Sequence, residues 1–152
     1  MAKLGYTIEY EMEKMARAYG RELQISWKKA VELARAIRGK TVEEARDYLE
    51  KVAALKQAVP FKRYKRWVAH KPGLGPARYP VRAAKSFLRV LESAVANAEF
   101  TGKEDPDSMT LKVVNAHKGP ITKGYRPRAH GRSSPWNQDT VNLEIVLEEE
   151  AA

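Results

Sequence analysis

The stretch KGPITKGYRPRAHGRSSPWNQ (118–138) decides how the rest of the sequence is interpreted. It contains five lysines and arginines, three prolines, three glycines and no acid. Such a composition offers almost no side chains that could form a hydrophobic core, so the stretch cannot order itself by burial. We therefore expect its flanking segments and an oppositely charged partner to order it.

Both flanks are predicted to be β-strands, because apolar residues recur there at every second position. Strands adjacent in sequence usually pair antiparallel, so residues 115–141 are predicted to form a long extended β-hairpin, here called the hairpin segment. A connection of this length is usually either functional or disordered. The alternating residues are Met109, Leu111 and Val113 before the connection, and Val141, Leu143, Ile145 and Leu147 after it, with Asn142 and Glu144 on the opposite face.

Three helices are predicted before this hairpin. The first (27–38) follows Ser26, a favourable N-cap, and stops at Gly39, which suits a left-handed terminal residue. The second (41–58) begins with a T-V-E-E capping box and stops before a Val-Pro pair. The third (80–102) begins with a proline, which suits a first helical turn.

Apolar stripes predict which helix faces lie against the core. The stripe of the second helix is predicted to run from Val42 to Leu55 or Lys56. Ahead of the first helix, alternation at Leu23 and Ile25 predicts a short strand. The third helix has the broadest stripe and is predicted to be central to the core: Ala83, Ala84, Phe87, Leu88, Leu91, Ala94, Val95 and Ala98.

The positive charge of the chain is concentrated in two segments. The formal net charge is +9, yet residues 51–91 carry eleven bases and residues 108–138 carry six, with no acid in either block. A solvated surface usually mixes charges of both signs, so these blocks favour a polyanionic partner over a merely solvated face.

Length and composition limit the remaining possibilities. With 152 residues, we expect one domain spanning residues 1–152, since two halves would each have a marginal core. The absence of cysteine excludes disulfides, thiolate zinc sites and a cysteine nucleophile. No stretch approaches the roughly 18 apolar residues of a membrane span, so we expect a cytoplasmic protein without membrane insertion.

Residues 58–80, here called the insertion segment, are predicted to be an ordered loop. Their sequence lacks the alternation of a strand and the caps of a helix, and it interleaves bases with aromatic residues. This mixture suits contacts with phosphates and exposed nucleobases. The alternative for Phe61 and Trp67 is that they pack on the protein itself.

Both basic segments have the chemistry of RNA recognition. Arginine pairs with phosphate through two hydrogen bonds, and aromatic rings stack on unpaired bases. The predicted RNA-binding residues are Lys62, Arg63, Tyr64, Lys65, Arg66, Trp67, Lys71, Arg78 and Arg82 in and after the insertion segment, and Lys118, Lys123, Tyr125, Arg126, Arg128, His130, Arg132 and Trp136 in the hairpin segment.

Catalytic, metal and cofactor sites are not predicted. His70, His117 and His130 lie in or beside basic segments, with no acid nearby in sequence to orient an imidazole and no i, i+4 histidine pair. Solvent or RNA contact is their predicted role. No phosphate-binding loop, dinucleotide fingerprint or nucleophile elbow is present, so we predict that the chain is not an enzyme. Binding to a membrane surface is disfavoured because the bases lie in loops rather than along an amphipathic helix.

Three motifs, in this order and spacing, resemble the universal large-subunit ribosomal protein twenty-two family: SWKKAVELARAIRGKTVEEA (26–45), SAVANAE (93–99) and KGPITKGYRPRAHGR (118–132). The resemblance covers about residues 20–149, and the insertion segment is similar to the archaeal and eukaryotic branch. It implies an α+β fold with three helices packed on a three-stranded antiparallel sheet and a long extended β-hairpin.

The resemblance also implies a function. Members are structural constituents of the large ribosomal subunit that bind several domains of 23S-type rRNA, support assembly and contact neighbouring proteins near the peptide exit. The alternative from the same basic chemistry is a free-standing RNA chaperone or rRNA-processing factor. Many bacterial relatives place a further base where His130 stands, so the charge of the tip here depends on pH. The tip residues implied to line the nascent-peptide tunnel are Arg126, Pro127, Arg128, Ala129, His130, Gly131 and Arg132.

Overall fold

The computed structural model describes residues 5–9, 11, 14–103 and 105–149, and it has the predicted α+β architecture. The helices are α1 (Trp27–Ile37), α2 (Val42–Ala53) and α3 (Val81–Phe100). The long strands are β1 (Met15–Leu23), β5 (Thr110–Thr122) and β8 (Gln138–Glu148). The short strands are β2 (Val59–Pro60), β3 (His70–Lys71), β4 (Gly75–Arg78), β6 (Tyr125–Pro127) and β7 (Ser133–Pro135).

The long strands form one antiparallel sheet in the order β1-β8-β5. The central strand β8 is therefore hydrogen-bonded along both edges. Its pairing with β5 extends from Thr110 opposite Glu148 to Thr122 opposite Gln138, which confirms that the strands flanking the long connection pair antiparallel. Helix α1 packs against β5, and α3 packs against β1 and α2.

Both faces of β8 are buried. The predicted apolar face is fully buried under the helices, at Val141, Leu143, Ile145 and Leu147. On the opposite face, Glu144 has no exposed surface. The alternation predicted correctly which residues share a face. It did not predict that the Glu144 carboxylate on the outer face is buried.

Helices α1 and α3 agree with their predicted spans. Ser26 occupies the N-cap position of α1, although its hydroxyl makes no capping hydrogen bond with any described residue, and Gly39 is left-handed at φ +76°. Pro80 is the N-cap of α3 rather than a residue of its first turn. The α3 stripe is buried as predicted, with two differences. Leu88 is only partly buried, and Val90, which was not part of the predicted stripe, is buried.

Helix α2 ends earlier than predicted. The Thr41 hydroxyl accepts the Glu44 N–H at 3.3 Å, as an N-cap should. At the other end, Leu55 adopts a left-handed conformation (φ +61°), and its N–H bonds back to Val52 O. This Schellman geometry ends the helix at Ala53, so the apolar stripe stops before Leu55, which is 60% exposed.

The first strand lies earlier than predicted, since Ile25 is outside β1. The residues that β1 buries include Ala16, Ala18 and Gly20, which are too small to produce a clear hydrophobic alternation. A Cβ on Gly20 would lie 2.7 Å from Val90 Cγ2, so α3 approaches the strand too closely for a larger residue. The pairing of β1 with β8 then shifts register between Gly20 and Leu23. This irregular end of β1 lies close to the short strand predicted at Leu23 and Ile25.

Strand β5 contains a bulge that the sequence did not indicate. Leu111 pairs with Leu147, but Val113 pairs with Val146, so Lys112 is an extra residue. The alternation shifts by one position beyond it. The prediction that Val113 shares the core face with Leu111 was therefore wrong, because Val114 is the fully buried residue and Val113 is only partly buried.

The insertion segment contains strands, contrary to the prediction of a loop without regular structure. Strands β2, β4 and β3 form a small antiparallel sheet in that order. Ala77 of β4 is buried, and so are Phe61 and Val68 beside the sheet. Strands of two to four residues are too short to show an alternation, which explains the error.

Shortening the hairpin segment should leave the fold intact. Replacing residues 123–137 with Asn-Gly joins the paired residues Thr122 and Gln138 by a two-residue turn and removes no buried side chain. We expect the shortened chain to retain one cooperative thermal transition by circular dichroism. As a control for sensitivity, Leu143→Ala should lower the free energy of unfolding by about 2–5 kcal/mol. Loss of cooperativity on shortening would contradict this prediction.

Candidate nucleic-acid interface

A buried carboxylate holds the start of the insertion segment. The Glu32 side chain projects from α1, is only 1% exposed, and accepts three consecutive backbone N–H groups. Its oxygens lie 3.2 Å from Lys62 N, 2.7 Å from Arg63 N and 2.6 Å from Tyr64 N. Hydrogen bonds to a buried charged acceptor are stronger than neutral ones, so this contact fixes the path of the segment.

Sequence reasoning missed Glu32. The available signal was its position inside the apolar run of α1, directly before the buried pair Leu33 and Ala34. A carboxylate in such a place is almost never buried without a partner. Here the partners are backbone groups about thirty positions away, which no local pattern could identify.

The insertion segment presents its cationic side chains to solvent, because Glu32 binds backbone groups and not their charges. Phe61 is buried, so the alternative that it packs on the protein is correct. The same alternative is wrong for Trp67, which is 81% exposed. Of the predicted binding residues here, Lys62, Arg63, Arg66, Trp67, Arg78 and Arg82 are exposed, and Tyr64, Lys65 and Lys71 are partly buried.

The two basic segments meet at Trp27, the first residue of α1. The ring of Tyr64, from the insertion segment, packs edge-on against the indole at 4.8 Å between centroids. Lys118, from the hairpin segment, places its ammonium 5.7 Å from the indole centroid, and Lys28 lies at 5.8 Å. The sequence analysis placed Trp27 only at the start of the first helix, whereas it joins the two cationic surfaces.

A second cationic cluster surrounds Lys29. Burial, and then the positive charges of Lys65, Arg78 and Arg82, lower the pKa of the Lys29 ammonium below its usual value. Among the described residues, none of these four side chains forms an ion pair with a carboxylate. Lys29 was not predicted as a binding residue, since it lies within residues 1–50, where bases and acids are nearly balanced in sequence.

The tip of the hairpin segment is ordered by its own contacts. Strands β6 and β7 pair from Tyr125 opposite Pro135 to Pro127 opposite Ser133. The Arg126 guanidinium lies 5.0 Å from the Trp136 ring centroid. The side chains of Tyr125, Arg126 and Trp136 stay exposed despite these contacts.

The turn at the tip depends on two left-handed residues, His130 (φ +59°) and Gly131 (φ +66°). Arg128 N donates to Arg132 O at 2.8 Å, and its side-chain Nε donates to Ser134 Oγ at 3.0 Å. The predicted binding and tip residues of the hairpin segment are all exposed: Lys118, Lys123, Tyr125, Arg126, Pro127, Arg128, Ala129, His130, Gly131, Arg132 and Trp136.

One histidine has an acidic partner that sequence proximity could not indicate. His117 Nε2 lies 3.3 Å from the buried Glu144 carboxylate, which comes from β8. The absence of a nearby acid in sequence was therefore misleading for His117. All three histidines, His70, His117 and His130, are exposed. The carboxylate also accepts the N–H and hydroxyl of Thr7, at 2.7 and 2.6 Å.

Opposing effects act on the pKa of Glu144. Burial alone would raise it, but hydrogen bonds from Thr7, His117 and Asn115 outweigh burial and lower the pKa below its ordinary value of 4.5. The ionised form is therefore the one that the fold favours. Its partners attach the described N-terminal residues to the outer face of the sheet.

Metal ligation and membrane spanning have no support in the described ranges. Within residues 5–9, 11, 14–103 and 105–149, no three acidic or histidine side chains are grouped closely enough to hold a metal ion. No helix in that part of the chain is both long and apolar enough to cross a bilayer.

Comparison with known proteins gives a match to the family described as Ribosomal protein L22p/L17e over residues 18–148. Three similar relatives are each named Large ribosomal subunit protein uL22. The one from Methanothrix thermoacetophila is 49% identical over 152 residues, covering 98% of this chain and 99% of the relative. Those from Methanoculleus marisnigri and Methanococcoides burtonii are 46% and 45% identical, covering 99% and 98% of this chain and 100% and 99% of the relatives.

Glu32→Gln should loosen the start of the insertion segment. The substituted amide keeps the shape but presents an NH2 group to at least one backbone donor, so one or more of the three hydrogen bonds is lost. We expect destabilisation of about 1–3 kcal/mol and clearly faster amide exchange at residues 62–64, measured by NMR. Glu50→Gln, an exposed position on α2, removes the same charge and should leave those amides unchanged. Equal exchange in both variants would contradict the anchoring role.

Glu144→Gln should make stability less dependent on pH. Because the folded-state pKa is lowered, ionised Glu144 stabilises the protein fully above pH 4.5, and this contribution disappears as pH falls through the folded-state pKa. The difference in unfolding free energy between wild type and variant should be about 1–3 kcal/mol at pH 7 and should shrink below pH 4.5. Denaturant titrations at several pH values measure it, with exposed Glu92→Gln as the control. A difference that is independent of pH would contradict the assignment.

Proposed function

Because the chain belongs to the Ribosomal protein L22p/L17e family, we propose that it is a structural constituent of the large ribosomal subunit that binds 23S-type rRNA. The observation that carries the proposal is the meeting of two cationic segments at Trp27. The prediction that the chain is not an enzyme is confirmed by the names of its relatives, which are those of ribosomal proteins.

The contact chemistry supports RNA over other polyanions. Exposed lysines and arginines attract phosphates, and binding releases the counterions condensed around them. Trp67 and Trp136 are 81% and 52% exposed, so their rings are available to stack on unpaired bases. A polyanion that is bound by charge alone would gain no stacking energy from the exposed indole rings.

The hairpin segment is the part that we propose reaches into the subunit. Its tip residues (126–132) would line the nascent-peptide exit tunnel, with the growing polypeptide as a second partner. Support comes from the resemblance of residues 118–132 to the family motif, and from a tip turn ordered by backbone contacts while its side chains stay exposed.

The remaining parts of the proposal concern context. The insertion segment and the hairpin segment would contact different rRNA domains, and such bridging would support subunit assembly. Neighbouring large-subunit proteins near the exit port would pack on the rest of the surface. We place the protein in the cytoplasm as one domain spanning residues 1–152, with the insertion segment (58–80) and the hairpin segment (115–141) as its extensions.

Sedimentation tests the proposal directly. A tagged full chain, produced in its own organism, should migrate with the large subunit and stay bound through a high-salt wash. A structural constituent is enclosed by folded rRNA and dissociates slowly, whereas a free-standing RNA chaperone or processing factor would be released. Recovery of the tagged chain in the high-salt wash, or its sedimentation without any ribosomal particle, would overturn the proposal.

Binding to rRNA fragments should depend steeply on salt, and the tip arginines should contribute to that dependence. Replacing Arg126, Arg128 and Arg132 with Gln should reduce the slope of log affinity against log salt by about 2, at roughly 0.7–0.9 for each phosphate that is no longer neutralised. The matched control replaces Arg21, Lys40 and Lys51 with Gln. Each of those bases already lies near a carboxylate, so the control should change the slope by less than about 1. Equal changes would contradict specific binding by the tip.

A further inference from the structure

Two adjoining clefts lie on either side of Tyr79 and Pro80, and Lys29 lines both of them. The first has a volume of about 310 Å³ and also contacts Ser26 and Arg82. The second has a volume of about 400 Å³ and also contacts Arg78. Among the lining residues, Lys71, Arg78 and Arg82 are predicted RNA-binding residues, but the proposed function assigns no role to Lys29 or to the clefts themselves.

The second cleft has an apolar wall. Leu55 and Ala77 line it together with the Tyr79 ring, and Lys71 places its ammonium 5.6 Å from the centroid of that ring. Leu55 is available because the left-handed turn at the end of α2 leaves its side chain 60% exposed. A flat aromatic ring beside aliphatic side chains is the type of surface on which a nucleobase stacks.

A bound anion would offset the positive charge where the two clefts adjoin. Lys29, Lys65, Arg78 and Arg82 are close enough that the three neighbours lower the pKa of Lys29, after burial. None of the four pairs with a carboxylate among the described residues. Four unpaired cations repel one another, and a bound phosphate would relieve that repulsion.

We propose that this double cleft binds one unpaired nucleotide of RNA, with its phosphate at Lys29 between Arg78 and Arg82 and its base against Tyr79 and Leu55. The two halves of the cleft share Lys29, so a single nucleotide spans them. A base inside a duplex is stacked and paired, so only an unpaired nucleotide presents its face to this wall. The inference rests on the proposed function and specifies the class of RNA element that this surface recognises.

The test compares two synthetic RNAs with the full-length chain. One is a fluorescein-labelled 12-nucleotide uridine-rich single strand, and the other is a blunt 12-base-pair duplex, both titrated by anisotropy at 0.15 M salt. We expect Tyr79→Leu, Leu55→Asn and Lys29→Gln each to weaken single-strand binding by about 5- to 30-fold, as expected for one stacked base or one buried phosphate contact. Duplex binding should change less than about twofold.

Matched controls separate the site from general effects of charge and folding. Lys40→Gln removes the same charge from a position just beyond the C-terminal end of α1, and it should change neither affinity by more than about twofold. Leu55→Asn addresses folding, because asparagine tolerates the left-handed conformation of that position. Its thermal transition should match the wild type, so it remains decisive even if Tyr79→Leu folds poorly.

A photochemical measurement locates the contact. A single strand carrying 4-thiouridine should crosslink to a peptide within residues 69–82, and Lys29→Gln should reduce that product more than Lys40→Gln does. Equal weakening of single-strand and duplex binding, or no weakening in Leu55→Asn and Lys29→Gln, would overturn the inference while leaving the proposed function intact. A wild-type chain that binds neither these RNAs nor rRNA fragments would overturn both.

Discussion

Two buried carboxylates on core elements hold peripheral parts of this protein in place, the insertion segment and the described N-terminal residues. Glu32, on α1, binds three consecutive backbone N–H groups of the insertion segment. Glu144, on β8, binds the N-terminal Thr7 and also His117 at the base of the hairpin segment. An acid placed within a basic segment would pair with its lysines and arginines and cancel the charge that a polyanion needs. A carboxylate on a core element that binds backbone donors orders the chain and leaves the cationic side chains free.

The hairpin segment is ordered by a different means, since it contains few buried side chains. Its arms are connected by the β5–β8 ladder, which changes register between Lys118 and Ile121. A Cβ on Gly119 would lie 2.4 Å from Thr140 Oγ1, so only glycine permits this approach of the strands. The Thr140 hydroxyl in turn donates to Pro120 O at 2.6 Å. Backbone hydrogen bonds replace a hydrophobic core along these arms, which explains how an acid-free sequence without apolar periodicity is ordered at all.

The sequence predicted the parts of the fold that depend on local patterns. The three helices, the N-cap at Thr41 and the apolar face of β8 follow from spacing and capping chemistry, which act within a few residues. The errors occurred where a tertiary contact decides the local structure. Strand β1 is buried through Ala and Gly because α3 lies close to it, and Leu55 ends α2 in a conformation that its side chain does not favour. Within the candidate site, the exposed lysines and arginines could be predicted from composition. Glu32, Trp27 and Lys29 could not, because their roles depend on contacts with residues far away in sequence. Charge pattern therefore predicts which segments bind, and only the fold indicates how they are held.

The two basic segments also differ in how much of their order a partner must supply. The insertion segment is fixed by buried Phe61 and Val68 and by the Glu32 carboxylate, so mainly its exposed side chains lose freedom on binding. Beyond the pair of Thr122 and Gln138, the hairpin segment has the short β6–β7 ladder, backbone hydrogen bonds from Arg128 to Arg132 and from Trp136 to Gly124, and a few side-chain contacts on exposed residues. Local stability follows buried contacts, so the free energy needed to open this distal part is lower than that needed to open the insertion segment. A polyanionic partner that encloses the tip must offset a larger loss of conformational entropy there, and the prolines and the turn at His130 and Gly131 reduce that loss in advance.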